Sequence, residues 1–286
     1  MQRLIKRVVQ IQTSTMCTAR CRICPYRTSM LAKQNAVMSD AVFKTIFRRL
    51  GEACVEIPKL PLYMQNEPLT DPKYLDRLDF ALSHVGRGTV EVSTNTSLLT
   101  REISRKLVQL AKNRKLTMIL SFQGTDKKSF EEMTGLSYHK CLKNVRAFLE
   151  ESQAGGPRVV IHSYGNEKEV LRYWSEKCAI WKLVRYPKIK TISYTNRAGN
   201  LSGKYAYKVQ KPKLEKCIRH WGWLHFNWKG DLIICCNDYE NEVVFGNIME
   251  HSLPALVERI DPELLRLSKD NPNFICRRCD ARCIGQ

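Results

Sequence analysis

Three cysteines stand close together near the start of the chain, in the segment MCTARCRICPY at residues 16–26. Cys17, Cys21 and Cys24 follow the spacing C-x3-C-x2-C. Three thiolates on one loop can hold three corners of an iron–sulfur cluster and leave the fourth iron open. A structural zinc site needs a fourth ligand, and a redox dithiol of the C-x2-C kind leaves Cys17 without a role. The spacing therefore favours an iron–sulfur cluster, with zinc and a redox dithiol as alternatives.

A second group of cysteines follows residue 216. Its members are Cys217, Cys235, Cys236, Cys276, Cys279 and Cys283. The segment that holds them is too short to build a large core alone, so a metal cluster would explain its stability. A zinc ribbon is the alternative, because four paired thiolates also suit zinc. The other cysteines, Cys54, Cys141 and Cys178, are scattered, and we interpret them as small buried hydrophobic residues.

The bulk composition is that of a globular protein in a reducing compartment. The chain has 286 residues and a hydrophobic share of 43%. No apolar run approaches the roughly 20 residues that a membrane span needs. The first residues, MQRLIKRVVQIQ, lack the apolar region and cleavage site of a secretory signal. We therefore expect a cytoplasmic protein, in which cysteines are metal ligands or catalytic groups rather than disulfides.

The chain is strongly basic, with a formal net charge of +19. Basic clusters lie at residues 101–115, 182–190 and 204–216. They are either solvated faces of helices and loops or the binding surface of an anionic partner. Such a partner would be a phosphorylated or carboxylated metabolite, an acidic peptide or nucleic acid. Charge alone does not choose among these.

The first 200 residues alternate between short apolar runs and longer helical patterns. Strands are predicted over 7–13, 60–64, 89–95, 116–122, 158–164 and 190–196. Helices are predicted over 39–52, 71–86, 100–115, 138–152 and 167–178, with Ser39, Asp71 and Thr100 as N-caps. This alternation predicts an α/β fold with a parallel sheet and right-handed crossovers.

Chemistry gathers at the carboxyl ends of the strands in such sheets. The cysteine loop follows the first predicted strand, and further polar residues stand at or just past later strand ends: Glu67, Asn95, Ser121 and Arg197.

After residue 200 the regular alternation of predicted strands and helices ends. The sequence predicts a β-hairpin over 221–239, with its turn at 229–231, and one or two short helices over 252–269. We therefore predict two domains, at residues 1–200 and 201–286.

A C-x3-C-x2-C loop directly after the first strand of a βα-repeat domain resembles the radical S-adenosylmethionine superfamily. The segments QNEPLTDP (65–72), STNTSLLT (93–100) and SFQGTDKKSFEEMTG (121–135) are similar to that family's motifs after the second, third and fourth strands. The resemblance covers nearly the whole chain and implies a partial (β/α)6 barrel. It also implies a [4Fe–4S] cluster that binds S-adenosylmethionine and splits it reductively, giving a radical that abstracts hydrogen from a substrate C–H bond.

The resemblance implies roles for individual residues. Cys17, Cys21 and Cys24 would hold the cluster, and Glu67 would accept from the methionyl ammonium of the cofactor. The other implied cofactor contacts are Tyr26, Ser93, Asn95, Ser121 and Arg197. The chain departs from the family at four positions, which affects these individual contacts: Asn66 and Thr96 replace glycines, Gln123 replaces an aspartate, and Ile23 replaces an aromatic residue.

The tail resembles the SPASM and twitch extensions of the same superfamily, which hold auxiliary [4Fe–4S] clusters. The interval from Gly230 to Cys235 fits the pattern G-x4-C. The resemblance implies a small cysteine-rich auxiliary-cluster domain with the ligands Cys217, Cys235, Cys276 and Cys279. Cys283 is able to displace one of them. Cys236 is then either a packed cysteine, a fifth ligand or a catalytic hydrogen-atom donor to a substrate radical.

Enzymes with such tails dehydrogenate or epimerise sugars and aminocyclitols, or modify ribosomally made peptides. The first strand begins at about residue 7, which leaves no room for the leader-binding domain of many peptide modifiers, so we expect a small-molecule substrate. An electron donor such as flavodoxin or ferredoxin is also expected. The alternative of another class is a zinc-stabilised basic module that binds nucleic acid. It would explain the charge, but not three cysteines without a fourth ligand.

Overall fold

The structure is a computed structural model that describes residues 8–201, 217, 219 and 222–280. The chain forms two compact units that do not follow its order. The first unit takes its described residues from Met1–Met16, Ile23–Asn66 and Tyr194–Gln286, and the second from Cys17–Arg22 and Glu67–Ser193. The predicted domain boundary at residue 200 stays a prediction.

The elements alternate between strands and helices through most of the described chain. The strands are β1 (Val8–Ile11), β2 (Lys59–Pro61), β3 (Thr89–Thr94), β4 (Leu116–Ser121), β5 (Arg158–Ser163), β6 (Lys188–Thr191), β7 (Trp223–Phe226), β8 (Asp231–Ile233) and β9 (Val244–Asn247). The helices are α1 (Asp40–Glu52), α2 (Tyr74–His84), α3 (Arg101–Leu110), α4 (Lys127–Thr134), α5 (Tyr138–Glu151), α6 (Glu167–Ile180), α7 (Leu253–Glu258) and α8 (Ile260–Asp270). None of these helices combines the length and the apolar character that a membrane span requires.

In the first unit, β1 lies between β2 and β7 and is parallel to both. β7, β8 and β9 are antiparallel neighbours. The predicted hairpin is confirmed, and Gly230 adopts a φ of +86° in its turn, a conformation that favours glycine. The segment predicted as one or two short helices forms α7 and α8. β9 was not predicted from the sequence.

In the second unit, β3, β4, β5 and β6 pair in that order, and all three pairs are parallel. Their core residues are fully buried, among them Val92, Met118 and Leu120. Strands of a parallel sheet covered on both faces are expected to be this apolar. The predicted α/β class with a parallel sheet is confirmed.

An aromatic cluster fixes the segment that follows β4. The ring of Phe122 lies 4.3 Å from that of Phe130 and 5.2 Å from that of Trp174, between ring centroids. Tyr138 packs on the edges of both phenylalanines at 5.8 Å. These rings belong to β4's end, α4, α5 and α6, so they anchor the strand end that carries Ser121.

The predicted N-caps have mixed outcomes. Ser39 and Thr100 cap α1 and α3, because their side chains accept from the backbone N–H groups of Val42 and Ile103. The prediction that Asp71 caps a helix is wrong, since α2 begins only at Tyr74.

The carboxylate of Asp71 has a different role. Its Oδ2 lies 3.3 Å from Nε of the buried Arg77, and its Oδ1 accepts from the backbone N–H of Lys73. A buried guanidinium needs a partner, and this requirement takes Asp71 away from capping. Helix α4 was also missed, although Asp126 caps it and Gly135 ends it in the left-handed conformation at φ +68°.

Candidate active site

Glu67 is buried at the strand-end motif of the second unit, with an exposed fraction of 2%. Its Oε1 accepts from the Thr94 hydroxyl at 2.8 Å and from the backbone N–H of Leu69 at 3.3 Å. Its Oε2 accepts from the backbone N–H of Asn95 at 2.6 Å. A carboxylate has about four lone-pair sites. These three donors therefore leave room for one more, such as an ammonium group.

Burial raises the pKa of Glu67 to about 7, against the lowering effect of its hydrogen bonds from Asn95, Thr94 and Leu69. Desolvation thus outweighs three hydrogen bonds. A carboxyl group with this pKa is half ionised at neutral pH. The approach of a cation would complete its ionisation, so the site fits a positively charged ligand group.

Asn95 connects Glu67 to the beginning of the cysteine loop. Its side-chain Nδ2 donates to the Thr18 hydroxyl at 2.9 Å and lies 3.8 Å from Sγ of Cys17. The Thr18 and Ser97 hydroxyls are hydrogen-bonded at 2.8 Å. The segment after β3 is therefore attached to Cys17 and Thr18 by hydrogen bonds.

The position that the family fills with glycine has a backbone that explains the preference. Thr96 is fully buried and adopts a φ of +68°, which is a strained conformation for a β-branched residue. The Asn144 amide donates to the carbonyl oxygen of Thr96 at 2.8 Å and helps to hold it. This chain thus adopts a left-handed backbone here with a threonine instead of a glycine.

Thr94 is a residue that sequence reasoning missed. The predicted cofactor contact in β3 was Ser93, which is half-buried, whereas its neighbour Thr94 is the donor to Glu67. Successive residues of a strand point to opposite faces. That alternation was the signal available in the sequence, because it places the side chains of Ser93 and Thr94 on opposite faces of β3. The role of Ser93 stays a prediction.

Gln123 holds Ser121 in place. Its Nε2 donates to the Ser121 hydroxyl at 2.7 Å, and its Oε1 accepts from the backbone N–H of Tyr164 at 2.9 Å. An amide can do both, whereas the aspartate of the family can only accept when it is ionised. The glutamine therefore joins the ends of β4 and β5. The predicted contact of Ser121 with a cofactor stays a prediction.

The first unit places Cys24 beside a tyrosine of the C-terminal segment. The Tyr239 hydroxyl lies 3.4 Å from Sγ of Cys24, and Tyr239 is buried. Burial raises the pKa of Tyr239 well above its usual value, and the charge of Cys24 raises it further. Tyr26 follows in a helical turn over Pro25–Thr28, where its carbonyl accepts from the Ser29 hydroxyl at 2.7 Å. Its predicted cofactor contact stays a prediction.

Asn66, the second departure from a family glycine, has a structural role. Its Oδ1 accepts from the backbone N–H of Met64 at 3.1 Å, and its Nδ2 donates to the Ser14 hydroxyl at 3.0 Å. The side chain therefore ties the segment after β2 to the segment after β1 within the first unit.

The C-terminal cysteines come within electrostatic reach of one another. Desolvation raises the pKa of the Cys235 thiol, and Cys236 and Cys276 raise it further. The pKa of Arg219 is raised by Cys236, Cys235 and Cys217, in that order of effect among the thiols. Three predicted or candidate sulfur ligands thus lie near one guanidinium.

Asn196 braces the tail that carries Cys276 and Cys279, both of which are buried. Its backbone N–H donates to the Asp280 carboxylate, and its Nδ2 donates to the carbonyl oxygen of Arg278 at 2.7 Å. The backbone N–H of Asp280 donates back to the side chain of Asn196 at 3.2 Å. Asn196 therefore holds the tail through its backbone N–H and through its side chain.

Arg197, a predicted cofactor contact, follows Asn196 with a φ of +49°. Its carbonyl oxygen accepts from the Asn200 amide at 2.8 Å. Its charge lowers the pKa of Tyr239, so it lies near the hydroxyl that contacts Cys24. Whether Arg197 touches a cofactor or a substrate stays a prediction.

The candidate metal ligands in both groups of cysteines are thiols. The eleven described cysteines are all free of disulfides, and the predicted ligand Cys283 lies outside the described residues. Within the part of the chain that the structure describes, no three His, Cys, Asp or Glu side chains approach closely enough to hold a single metal ion. Thiolates are the usual ligands of iron–sulfur clusters, so the donor chemistry fits such a group.

Comparison with known proteins gave one match to a family model. Residues 217–280 match the SPASM domain, described as an iron–sulfur cluster-binding domain. This range contains the predicted auxiliary ligands Cys217, Cys235, Cys276 and Cys279. No curated protein matches the chain.

Several solved structures are similar to this chain over most of its length. BtrN in complex with AdoMet (S-adenosylmethionine) and 2-DOIA is 16% identical, with a TM-score of 0.62 over 98% of this chain and 94% of BtrN. Streptococcus suis SuiB bound to the precursor peptide SuiA is 14% identical, with a TM-score of 0.66 over 94% of this chain and 66% of SuiB. Native anSMEcpe with bound AdoMet is 15% identical, with a TM-score of 0.65 over 96% and 89% of the two chains.

These likenesses confirm the fold that the resemblance of the sequence motifs implied. The chain has the fold of the radical S-adenosylmethionine enzymes and carries a SPASM-type iron–sulfur cluster-binding domain at residues 217–280.

Proposed function

We propose that the protein is a radical S-adenosylmethionine enzyme that abstracts a hydrogen atom from a substrate C–H bond. The observation that carries the proposal is the network in which Asn95 joins the buried carboxylate of Glu67 to Cys17. When bound, the cluster and S-adenosylmethionine supply the electron and the adenosyl radical that the protein itself cannot provide.

The residues of the chain bind and orient these groups. Cys17, Cys21 and Cys24 hold the cluster as thiolates. Glu67 accepts the ammonium of the cofactor at its remaining lone-pair site, and its position is fixed by donation from Asn95 and Thr94. The remaining proposed cofactor contacts are Tyr26, Ser93, Ser121 and Arg197.

The C-terminal thiols hold one auxiliary [4Fe–4S] cluster. Its ligands are Cys217, Cys235, Cys276 and Cys279, with Cys283 as the competing ligand. The half-buried Arg219 lies near Cys217, Cys235 and Cys236. Its positive charge offsets part of the negative charge that several thiolates bring together. The proposal is supported by the SPASM match over residues 217–280.

The proposed substrate is a small molecule of the sugar or aminocyclitol type, which the enzyme dehydrogenates or epimerises. Support comes from the similarity over nearly all of this chain to BtrN, whose structure contains 2-DOIA. The second candidate is peptide modification, which the likeness to SuiB bound to its precursor peptide favours. In both cases a flavodoxin or ferredoxin is the proposed electron donor.

Metal content after anaerobic reconstitution tests the proposal. The wild type should hold about eight irons per chain, for two [4Fe–4S] clusters, and a Cys17/Cys21/Cys24→Ala variant should hold about four. Reduction with dithionite in the presence of S-adenosylmethionine should release 5′-deoxyadenosine from the wild type only.

A matched control replaces the three scattered cysteines, as Cys54/Cys141/Cys178→Ala, and should keep all the iron. Zinc with little iron in the wild type would contradict the proposal. A zinc-stabilised module that binds nucleic acid, with strongly salt-dependent affinity, would then explain the basic charge better.

The role of Cys236 separates the two small-molecule reactions. Epimerisation needs a hydrogen-atom donor to the substrate radical, and Cys236 is the candidate donor. Dehydrogenation needs no such donor, and the auxiliary cluster would supply the electron acceptor when bound. Cys236→Ala should leave turnover intact under dehydrogenation. Loss of product while 5′-deoxyadenosine still forms would support epimerisation.

A further inference from the structure

A tyrosine of the C-terminal segment lies against the last cysteine of the first loop. The Tyr239 hydroxyl and Sγ of Cys24 are 3.4 Å apart, within the range of a hydrogen bond to sulfur. Tyr239 has an exposed fraction of only 4%. Such a contact is specific, because a buried hydroxyl needs a partner.

The direction of this hydrogen bond follows from the chemistry of the sulfur. A cysteine that ligates iron is a thiolate and has no S–H to donate. The Tyr239 hydroxyl must then be the donor and the Cys24 sulfur the acceptor. A donor at this sulfur acts on the charge of whatever the sulfur ligates.

Gln65 holds the loop that carries Tyr239. Its Nε2 donates to the carbonyl oxygens of Cys236, at 3.1 Å, and of Asp238, at 2.9 Å. The Asp238 carboxylate in turn accepts from the backbone N–H groups of Glu242 and Val243, at 2.8 and 3.0 Å. These hydrogen bonds therefore fix the backbone of the loop at residues 236–243, to which Tyr239 belongs.

The same loop is attached to the segment that follows Cys24. The Glu240 carboxylate accepts from the backbone N–H of Met30, with both oxygens at 3.2 Å. The Asn241 amide lies 3.9 Å from the sulfur of Met30. Contacts on both sides of Tyr239 thus fix its ring, so its hydroxyl meets Cys24 in one defined position.

We propose that Tyr239 is a positioning residue whose hydrogen bond to the Cys24 thiolate raises the reduction potential of the cluster on the first loop. This inference rests on the proposed function. Reduction adds negative charge to the cluster and its sulfur ligands, and a hydrogen-bond donor stabilises that charge. Because Tyr239 shares its loop with Cys236 and this loop follows Cys235 directly, the SPASM segment would adjust the cluster on the first loop.

The test is a redox titration of the holoprotein, with both clusters present, followed by electron paramagnetic resonance. The signal of the first-loop cluster is identified by its change when S-adenosylmethionine is added. Tyr239→Phe keeps the ring and removes the hydroxyl. It should move the midpoint of that cluster to a more negative potential, by about tenfold in the reduction equilibrium, which is about 59 mV for one electron.

Tyr173→Phe is the matched control. Its hydroxyl is hydrogen-bonded to that of Tyr138 at 2.7 Å, a tyrosine partner and not a cysteine. The variant loses a comparable hydroxyl contact, and both midpoints should stay at the wild-type values. A purely structural role of Tyr239 would give the same result for both variants, and that outcome would overturn the inference.

Two further outcomes are decisive. A shift of the auxiliary midpoint alone would also overturn the inference, because it would place the effect of Tyr239 on the other cluster. A wild type without any signal that responds to S-adenosylmethionine would refute the proposed function, and the inference with it. If Tyr239→Phe loses iron, 3-fluorotyrosine at position 239 is the second variant. Its more acidic hydroxyl should raise the midpoint, and an unchanged midpoint would refute the inference.

Discussion

The backbone N–H of Asn95 donates to Oε2 of Glu67 at 2.6 Å, while the side chain of the same asparagine reaches Thr18 and Cys17. One residue thus fixes the carboxylate and contacts the cysteine loop. Because burial still raises the pKa of Glu67 to about 7, the carboxylate is poised to respond to a cation. Its ionisation should be measurable through the binding of the cofactor.

We expect the affinity for S-adenosylmethionine to rise with pH. Only the ionised Glu67 accepts from the ammonium, and its ionised fraction rises from about one tenth at pH 6 to about three quarters at pH 7.5, so affinity should rise about eightfold. The range ends there because an α-amino group titrates near pH 8. Isothermal titration of the reconstituted protein measures this. A Glu67→Gln variant should bind more weakly and without this slope, and a parallel slope in the variant would exclude Glu67 as the cause.

The free energy of unfolding of the cofactor-free protein should also depend on the ionisation of Glu67. It should fall with rising pH, whereas the affinity for the cofactor should rise. The pKa of Glu67 is higher in the folded chain than in the unfolded chain, so the folded chain binds more protons between about pH 4.3 and 7. Stability should therefore fall as pH rises through this window, and Glu67 should contribute no further change above it. Urea titrations of wild type and Glu67→Gln, compared between pH 5 and 8, give this difference. An equal profile for both proteins would rule the assignment out.

Removing the hydroxyl donor to Glu67 should weaken both folding and cofactor binding. Thr94→Val preserves the shape of the side chain but leaves Oε1 of Glu67 with one donor fewer in a buried site. Loss of a hydrogen bond to a buried charged group costs about 1.5 to 3 kcal/mol. The pKa of Glu67 should rise further, so the pH dependence of binding should move to higher pH. Thr117→Val, at a half-buried threonine of the neighbouring strand β4, is the control and should move neither.

Much of the fold was predictable because its signals are local. The caps Ser39 and Thr100, the alternation of strands and helices, and the hairpin turn at Gly230 all depend on residues close in the sequence. The wrong N-cap at Asp71 has its cause in burial, which a local signal does not reveal. Asp71 has the type and position of an N-cap, but Arg77 needs its charge, and this requirement appears only when both are buried.

The sequence predicted which positions contribute to the site better than it predicted which side chains contact each other. Motif spacing indicated Glu67 and Asn95, and the structure joins them by a hydrogen bond. Thr94 and Tyr239 were missed for different reasons. Thr94 required the choice of strand face, whereas Tyr239 approaches Cys24 from a segment more than two hundred residues away. No local pattern carries that information.

The bracing by Asn196 should decide how well the tail cysteines hold iron. Asn196→Ala removes the side-chain hydrogen bonds to the carbonyl oxygen of Arg278 and to the backbone N–H of Asp280. We expect the auxiliary cluster to be lost partly or wholly, with about four irons retained at the first loop. Asn166→Ala, which removes the N-cap of α6, should cost about 1 kcal/mol of stability but no iron. Equal iron in both variants would show that the tail does not depend on Asn196.

The ion pair of Asp71 and Arg77 should be a main determinant of stability in the second unit. The two side chains are almost fully buried, with exposed fractions of 0% and 4% and a separation of 3.3 Å. Arg77→Met leaves the Asp71 carboxylate buried without its cation, which should cost about 3 to 5 kcal/mol in the free energy of unfolding. Urea denaturation measures this cost. The exposed pair of Arg114 and Asp79, at 2.6 Å, is the matched control, and Asp79→Asn should cost less than about 1 kcal/mol. The double variant Asp71→Leu/Arg77→Met should recover part of the loss, since it buries no unpaired charge. If the double variant is as unstable as Arg77→Met, the cost comes from packing and not from the loss of the cation beside the Asp71 carboxylate.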